Sequence, residues 1–204
     1  MMPVGCVAFV EAAMRLAGAN VPENISYPQA LMPWLKRSLL QREAGQVQGR
    51  WFIKPLTTKT FTGLVVDIAD RELLDEHDCA QRDVFEALPS NQLVWVSEPV
   101  TWLSEVRYYV IDGKIVGAGR YDDGPDEAPC PAQAEVSAMV KDYVSTGEAP
   151  RGFGLDAGVL ASGETALVEV NDGWALGYYS GSLTRANYAE LLRRRWTQLL
   201  ATRR

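Results

Sequence analysis

The sequence predicts an α+β fold, and three observations carry that reading. Apolar residues recur with helical spacing near both ends of the chain, but from Trp51 the period changes to two. The segments EVRYYVI-DG-KIVGAGRY and GFGLDAGVLA-SG-ETALVEVN each set a turn dipeptide between alternating apolar residues, which is the pattern of an antiparallel hairpin. Helical segments stand between the hairpins and after them, so strands and helices are grouped rather than alternating as in a parallel βαβ sheet.

Residues 6–18 read as an amphipathic helix, with Val7, Val10, Met14 and Ala17 on one stripe and Gly18 as its stop. PENISYPQALMPW is turn-rich and leads into a helix expected near residues 30–42. WFIK, GLVVD and LVWVS read as short strands, the last after a polar, helix-compatible stretch at 71–88. PAQAEVSAMVKDYVSTG has a helical period that ends at Gly147. Thr184 is placed to cap RANYAELLRRRWTQLL, and the arginines of that tail suit the negative end of a helix dipole.

Composition removes several functions. The 204 residues carry a net charge of −6, which argues against a nucleic-acid surface, since neutralising phosphates requires a basic face. No apolar run approaches the ~18 residues of a membrane span, and the N-terminus lacks a basic segment before its apolar stretch. A cytoplasmic protein without a membrane partner is expected. Cys6, Cys79 and Cys130 are far apart and form no CxxC pair, so neither a zinc site nor a disulfide framework is expected. His77 is the single histidine and sits in the polar run DEHDCAQRD. A lone histidine in such a run argues against His-rich metal centres and against catalysis by a Ser-His or Cys-His pair.

The second hairpin points to a cation site. With Ser162 and Gly163 as a two-residue turn, Asp156 falls opposite Glu169, and Asn171 is a diagonal neighbour on the same face. Directly opposed carboxylates destabilise a sheet, so a positive group is expected between them. Oxygen ligands of this kind suit Mg²⁺. The competing reading is a carboxylate turned to solvent with no ion bound. In the first hairpin, a two-residue Asp112-Gly113 turn puts Glu105 opposite Arg120, with Arg107 on the same face. This charged row fits either a cross-strand ion pair on a wet surface or a nucleotide contact, with a carboxylate on ribose and guanidinium on phosphate. Lys54 ends the strand WFIK and Lys59 lies in PLTTKTFTG; both suit phosphate contacts, or else are solvated strand ends.

Taken in order, FIKP, K-x-F-x-G, VSEPV…SEVRYYV-x-DGK, GLDAGVL and VEVNDGW resemble an ATP-grasp domain over roughly residues 50 to 180. The resemblance extends to phage and bacterial members of that superfamily, including a clade with an arginine-to-lysine replacement. It implies an ATP-grasp fold of two α+β lobes, with nucleotide held between antiparallel sheets. The expected division is a helical segment over 1–48, an N-terminal lobe over 49–98 and a C-terminal lobe over 99–204.

The resemblance also implies roles. Lys54 and Lys59 would contact phosphates, and Glu98 and Val100 would flank the adenine at the hinge. Pro99 departs from the family pattern because it lacks an N–H. Glu105 would bind ribose, Arg107 and Arg120 would lie near the transferred phosphoryl group, and Lys59 would assist there. Asp156, Glu169 and Asn171 would hold Mg²⁺, with Mn²⁺ as an alternative. The implied activity is ligation of a carboxylate to an amine or thiol through an acyl phosphate, with ATP as the energy source and peptides among the candidate substrates. A catalytically silent nucleotide-binding module and a kinase are the alternatives. Only about fifty residues precede WFIKP, so a minimal form, a truncated region, or a partner chain or homodimer completing the site is expected. Asp172, Trp174 and Tyr178 suit either an acceptor pocket or a turn with packing aromatics.

Overall fold

The computed structural model describes residues 2–56, 60–70 and 76–201. The chain forms two compact units, Arg37–Thr101 on one hand, and Met1–Lys36 with Trp102–Arg204 on the other. These boundaries differ from the expected 48/49 and 98/99. The first thirty-six residues are not a separate segment, because Val170 N–H donates to Ser26 O at 2.8 Å and so ties them to the edge of the larger sheet.

Arg37–Thr101 contains β1 (Leu39–Glu43), β2 (Arg50–Pro55), β3 (Leu64–Asp67), α2 (Glu76–Glu86) and β4 (Leu93–Ser97). The strands form an antiparallel sheet in the order β1-β4-β2-β3. One face buries Ile53, Leu64, Val66, Val94 and Val96 against Phe61 and Phe85 of α2. Arg82 of α2, 3% exposed, donates to the carbonyls of Asp67, Ile68 and Asp70 and locks the end of β3 to the helix. A helix was expected over 30–42. Instead a 3₁₀ helix spans Gln29–Leu35 with Pro33 inside it, and Lys36 adopts a left-handed φ of 53° that stops it. LLQRE then becomes β1, since pairing with β4 supplies hydrogen bonds that outweigh its helical propensity.

The other unit contains α1 (Val7–Leu16), β5 (Trp102–Ile111), β6 (Lys114–Arg120), α3 (Gln133–Ser145), β7 (Gly152–Leu160), β8 (Thr165–Asp172) and α4 (Arg185–Ala201). Its antiparallel sheet runs β6-β5-β7-β8. The face bearing Val110, Phe153 and Leu155 receives α3, where Tyr143 meets Phe153 edge-on at 5.4 Å. The opposite face receives α4 and a strap of chain, residues 173–184. Val10 and Met14 of α1 pack on Trp196 and Leu199 of α4. Thr184 Oγ1 accepts from Asn187 N–H at 3.1 Å, the expected cap. Arg193, Arg194 and Arg195 lie before the last turn of α4, which runs to Ala201, and Arg203 and Arg204 of the tail lie outside the described residues. Arg193 and Arg194 pair with Glu190, and Arg195 pairs with Asp172. Among the described residues no helix is long and apolar enough to cross a membrane.

Both hairpins contain a bulge, with different consequences. The Asp112-Gly113 turn has positive φ at both residues, as a type I′ turn requires. Val116 is then inserted, since Val110 pairs with Ile115 but Tyr109 pairs with Gly117. In the other hairpin Leu160 N–H bonds Glu164 O, so the loop has three residues, Ala161 to Gly163, rather than the expected two. An extra residue at Val168 compensates, and Asp156 still faces Glu169.

The strap lies directly on the sheet where side chains are absent. A Cβ on Gly119 would sit 2.4 Å from Ser182 Cβ, and Ala118 N–H donates to Ser182 O at 3.0 Å. Gly119→Ala is therefore expected to lower stability by about 1–3 kcal/mol through overpacking, measured as a shift in urea midpoint. An unchanged midpoint would mean the strap is not seated on β6.

Candidate nucleotide and metal site

Asp156 is the centre of the site. It lies mid-strand in β7 and is 1% exposed. Its neighbour on one side is Glu169 of β8 and on the other Arg107 of β5. Arg107 makes a fork: Nε donates to Asp156 Oδ1 at 2.8 Å and Nη2 to Oδ2 at 2.6 Å. Asn171 Nδ2 donates at 3.0 Å both to Asp156 Oδ2 and to Glu169 Oε1. The expected conflict between opposed carboxylates is thus relieved by a guanidinium and an amide. Burial works against the Arg107 charge, but the bonds to Asp156 more than offset it, and the group is held above its ordinary range.

Two tyrosines complete the arrangement. The Tyr121 and Tyr179 rings stack at 5.5 Å with planes 14° apart, and Arg107 Cζ lies 5.7 Å and 5.2 Å from their centres. Tyr121 Oη donates to Glu105 Oε2 at 3.0 Å, which links the proposed ribose carboxylate to the Arg107–Asp156 pair. Burial, with the Asp156 and Glu105 carboxylates nearby, pushes the Tyr121 phenol well up. Tyr179 belongs to the strap, which Tyr109 of β5 holds: the Tyr179 N–H donates to Tyr109 Oη at 3.1 Å, and that hydroxyl donates to Gly177 O at 3.0 Å. Neither Tyr121 nor Tyr179 was singled out from sequence. The bulge at Val116 hid Tyr121, because shifting the register by one residue is what brings it to Glu105.

The same shift moves Arg120. It pairs with Val106 rather than facing Glu105. Its guanidinium is engaged by Asp122, which also accepts from the Glu105 and Gly124 N–H groups, and by Pro125 O. Arg120 thus shapes the loop after β6. Asp172 accepts a fork from buried Arg195 at 2.7 and 2.6 Å, and Trp174 packs with the α1–α4 cluster. Tyr178 Oη donates to Leu183 O.

The remaining expected contacts belong to the other unit. Lys54 of β2 pairs in register with Trp95, on the face opposite Ile53 and its core. Glu98 Oε1 accepts from Ser38 Oγ at 2.8 Å, and Val100 lies half-buried after β4. Lys59 lies outside the described residues.

A family model described as an ATP-grasp domain, the third family of the arginine-to-lysine clade, matches residues 9–199. The chain belongs to this family. Its fold is the ATP-grasp fold, α+β, with two four-stranded antiparallel sheets. Among solved structures, the D-alanine–D-alanine ligase from Bacillus anthracis complexed with ATP aligns at 15% identity and TM-score 0.51, over 96% of this chain and 64% of that one. The ATP-grasp ligase PsnB complexed with a minimal precursor, Mg and ADP aligns at 22% identity and TM-score 0.46, over 92% of this chain and 57% of that one. PsnB with precursor peptide PsnA2 and AMPPNP aligns at 22% identity and TM-score 0.43, over 80% and 48%. The chain therefore spans about half the length of those PsnB chains. No curated protein sequence matches it.

Asp156, Glu169 and Asn171 would offer a divalent cation two carboxylates and one amide. Among the described residues no group of three or more His, Cys, Asp or Glu side chains could hold a metal ion, so a cation here would need Asn171 as its third donor. Turning its amide end for end would present oxygen instead of nitrogen to a cation beside Asp156 and Glu169. Asp156→Ala is expected to lower stability by about 3–5 kcal/mol, because it strands a buried guanidinium. Urea unfolding measures this, and a loss under about 1 kcal/mol would show that the pair is not buried in solution.

Proposed function

We propose that the chain is a Mg-ATP-dependent ligase that activates a carboxylate as an acyl phosphate and transfers the acyl group to an amine or thiol. The observation that carries this reading is Asp156 facing Glu169 with Asn171 bridging them, in a chain of the ATP-grasp family. In this reading Asp156, Glu169 and Asn171 hold Mg²⁺, and Mn²⁺ suits the same oxygens. The ion, when bound, supplies positive charge to phosphate oxygens.

The chain's own residues supply position and charge. Glu105, oriented by Tyr121, accepts from ribose hydroxyls. The Arg107 fork can donate to two oxygens of a phosphoryl group and counters the charge that develops on it during transfer. Lys54 and Lys59 act as phosphate contacts, and Glu98 and Val100 as hinge contacts to adenine. A substrate carboxylate attacks the γ-phosphorus, and ADP leaves. An amine then attacks the acyl carbon, loses a proton, and expels inorganic phosphate. A peptide remains a candidate, as does a partner chain or second copy that completes the acceptor side.

One observation favours a second reading, a nucleotide-binding module without turnover: both oxygens of Asp156 are already engaged by Arg107. Calorimetry of ATP, with and without Mg²⁺, separates the site from both alternatives. The expected result is Mg-dependent binding that Glu169→Gln weakens by roughly tenfold or more, followed by ADP release when carboxylate and amine pairs are screened. ATP binding that is indifferent to Mg²⁺ and to Glu169→Gln would contradict the metal assignment. A phosphorylated product without ligation would make the protein a kinase.

A further inference from the structure

We infer that Arg107 is a built-in counter-cation of the Asp156–Glu169 pair, and that a divalent ion binds by displacing its guanidinium. The inference rests on the proposed cation site and extends it, since that site by itself says nothing of what occupies Asp156 beforehand. Both carboxylate oxygens of Asp156 have an Arg107 nitrogen within 2.8 Å. A divalent cation on those oxygens would meet a fixed positive charge at close range, so ion and fork exclude one another. Asp156 is 1% exposed, so solvent does little to screen that repulsion.

The guanidinium has a place to remain after release. The Tyr121 and Tyr179 rings lie 5.7 and 5.2 Å from Arg107 Cζ, within the range at which a ring face attracts a cation. The backbone N–H of Tyr179 is held by Tyr109 Oη and the Tyr121 hydroxyl by Glu105, so each tyrosine is anchored by a group other than Arg107. A fork released from Asp156 is free to take a phosphate, two of whose oxygens accept a guanidinium fork as a carboxylate does. Metal and nucleotide phosphate then favour one another through a single residue, and the coupling is reciprocal.

The test uses Mn²⁺ alone, without nucleotide, titrated into the full chain and followed by electron paramagnetic resonance of the free ion. Arg107→Met is expected to bind Mn²⁺ at least tenfold more tightly than the wild type. The gain is expected to vanish in Arg107→Met/Glu169→Gln, and Mn²⁺ should raise the melting temperature of Arg107→Met more than that of the wild type. Equal Mn²⁺ affinity in the wild type and Arg107→Met overturns the inference. So does a gain that survives in the double variant, since the ion then lies elsewhere. Where Arg107→Met does not fold alone, Mn²⁺ should restore its folding, and Arg107→Lys, which keeps the charge but not the fork, should show a smaller gain. Absence of both effects overturns the inference. If Mg-dependent ATP binding persists while these tests fail, only displacement is wrong; if it is absent as well, the cation site itself falls.

Discussion

A carboxylate buried in the middle of a sheet needs a positive partner, and the unit around Asp156 is organised to supply one. Asp156 is flanked in register by Glu169 on one strand and Arg107 on the other. Without the guanidinium, two carboxylates would share one face of a dry sheet, where repulsion and desolvation both disfavour the charged forms. With it, the cluster is satisfied, and Asn171 divides its two N–H groups between the acids. The strap depends on the same face. Its close seating on Gly119 and Gly154 places Tyr179 beside Arg107. A second buried fork, Arg195 on Asp172, fixes the point where β8 leaves the sheet and α4 returns over it.

Buried ion pairs are weak sources of net stability, because desolvation consumes most of the attraction. Apolar residues of similar volume at positions 107 and 156 would hold the sheet as well or better. The arrangement is therefore better understood through chemistry than through folding. In the proposed reading a pre-formed anionic centre is kept ready, with its charge balanced by a group that would also serve a phosphate. The cost of assembling such a centre falls on folding rather than on the reaction, which is the sense of electrostatic preorganisation.

Much of this was legible in the residues because β-hairpins carry local rules. The opposition of Asp156 and Glu169 follows from a turn and a period of two, and it holds in the structure. It holds because two departures cancel: a loop one residue longer than expected and a bulge at Val168. The first hairpin has the bulge without the compensation, so Arg120 leaves the row and Tyr121 enters it. Bulges have no reliable signature in a single sequence, since the inserted residue, here a valine, is an ordinary strand former. β1 was missed for a different reason. LLQRE has no strong local preference, and only pairing with β4, far along the chain, decides its state. The motifs do not say that Arg107 meets Asp156, because that fork is a fact of register between non-consecutive strands.

The central claim is that Asp156, Glu169 and Asn171 hold a divalent ion beside a nucleotide while Arg107 attends the phosphate. A crystal structure with Mn²⁺ and a non-hydrolysable ATP analogue, read at the manganese absorption edge, tests it most directly. The account predicts an anomalous peak within coordination distance of Asp156 and Glu169, the Asn171 amide oxygen turned toward it, and the Arg107 fork released from Asp156 onto a phosphate. Nucleotide bound with manganese elsewhere, and Arg107 still forked on Asp156, would contradict it.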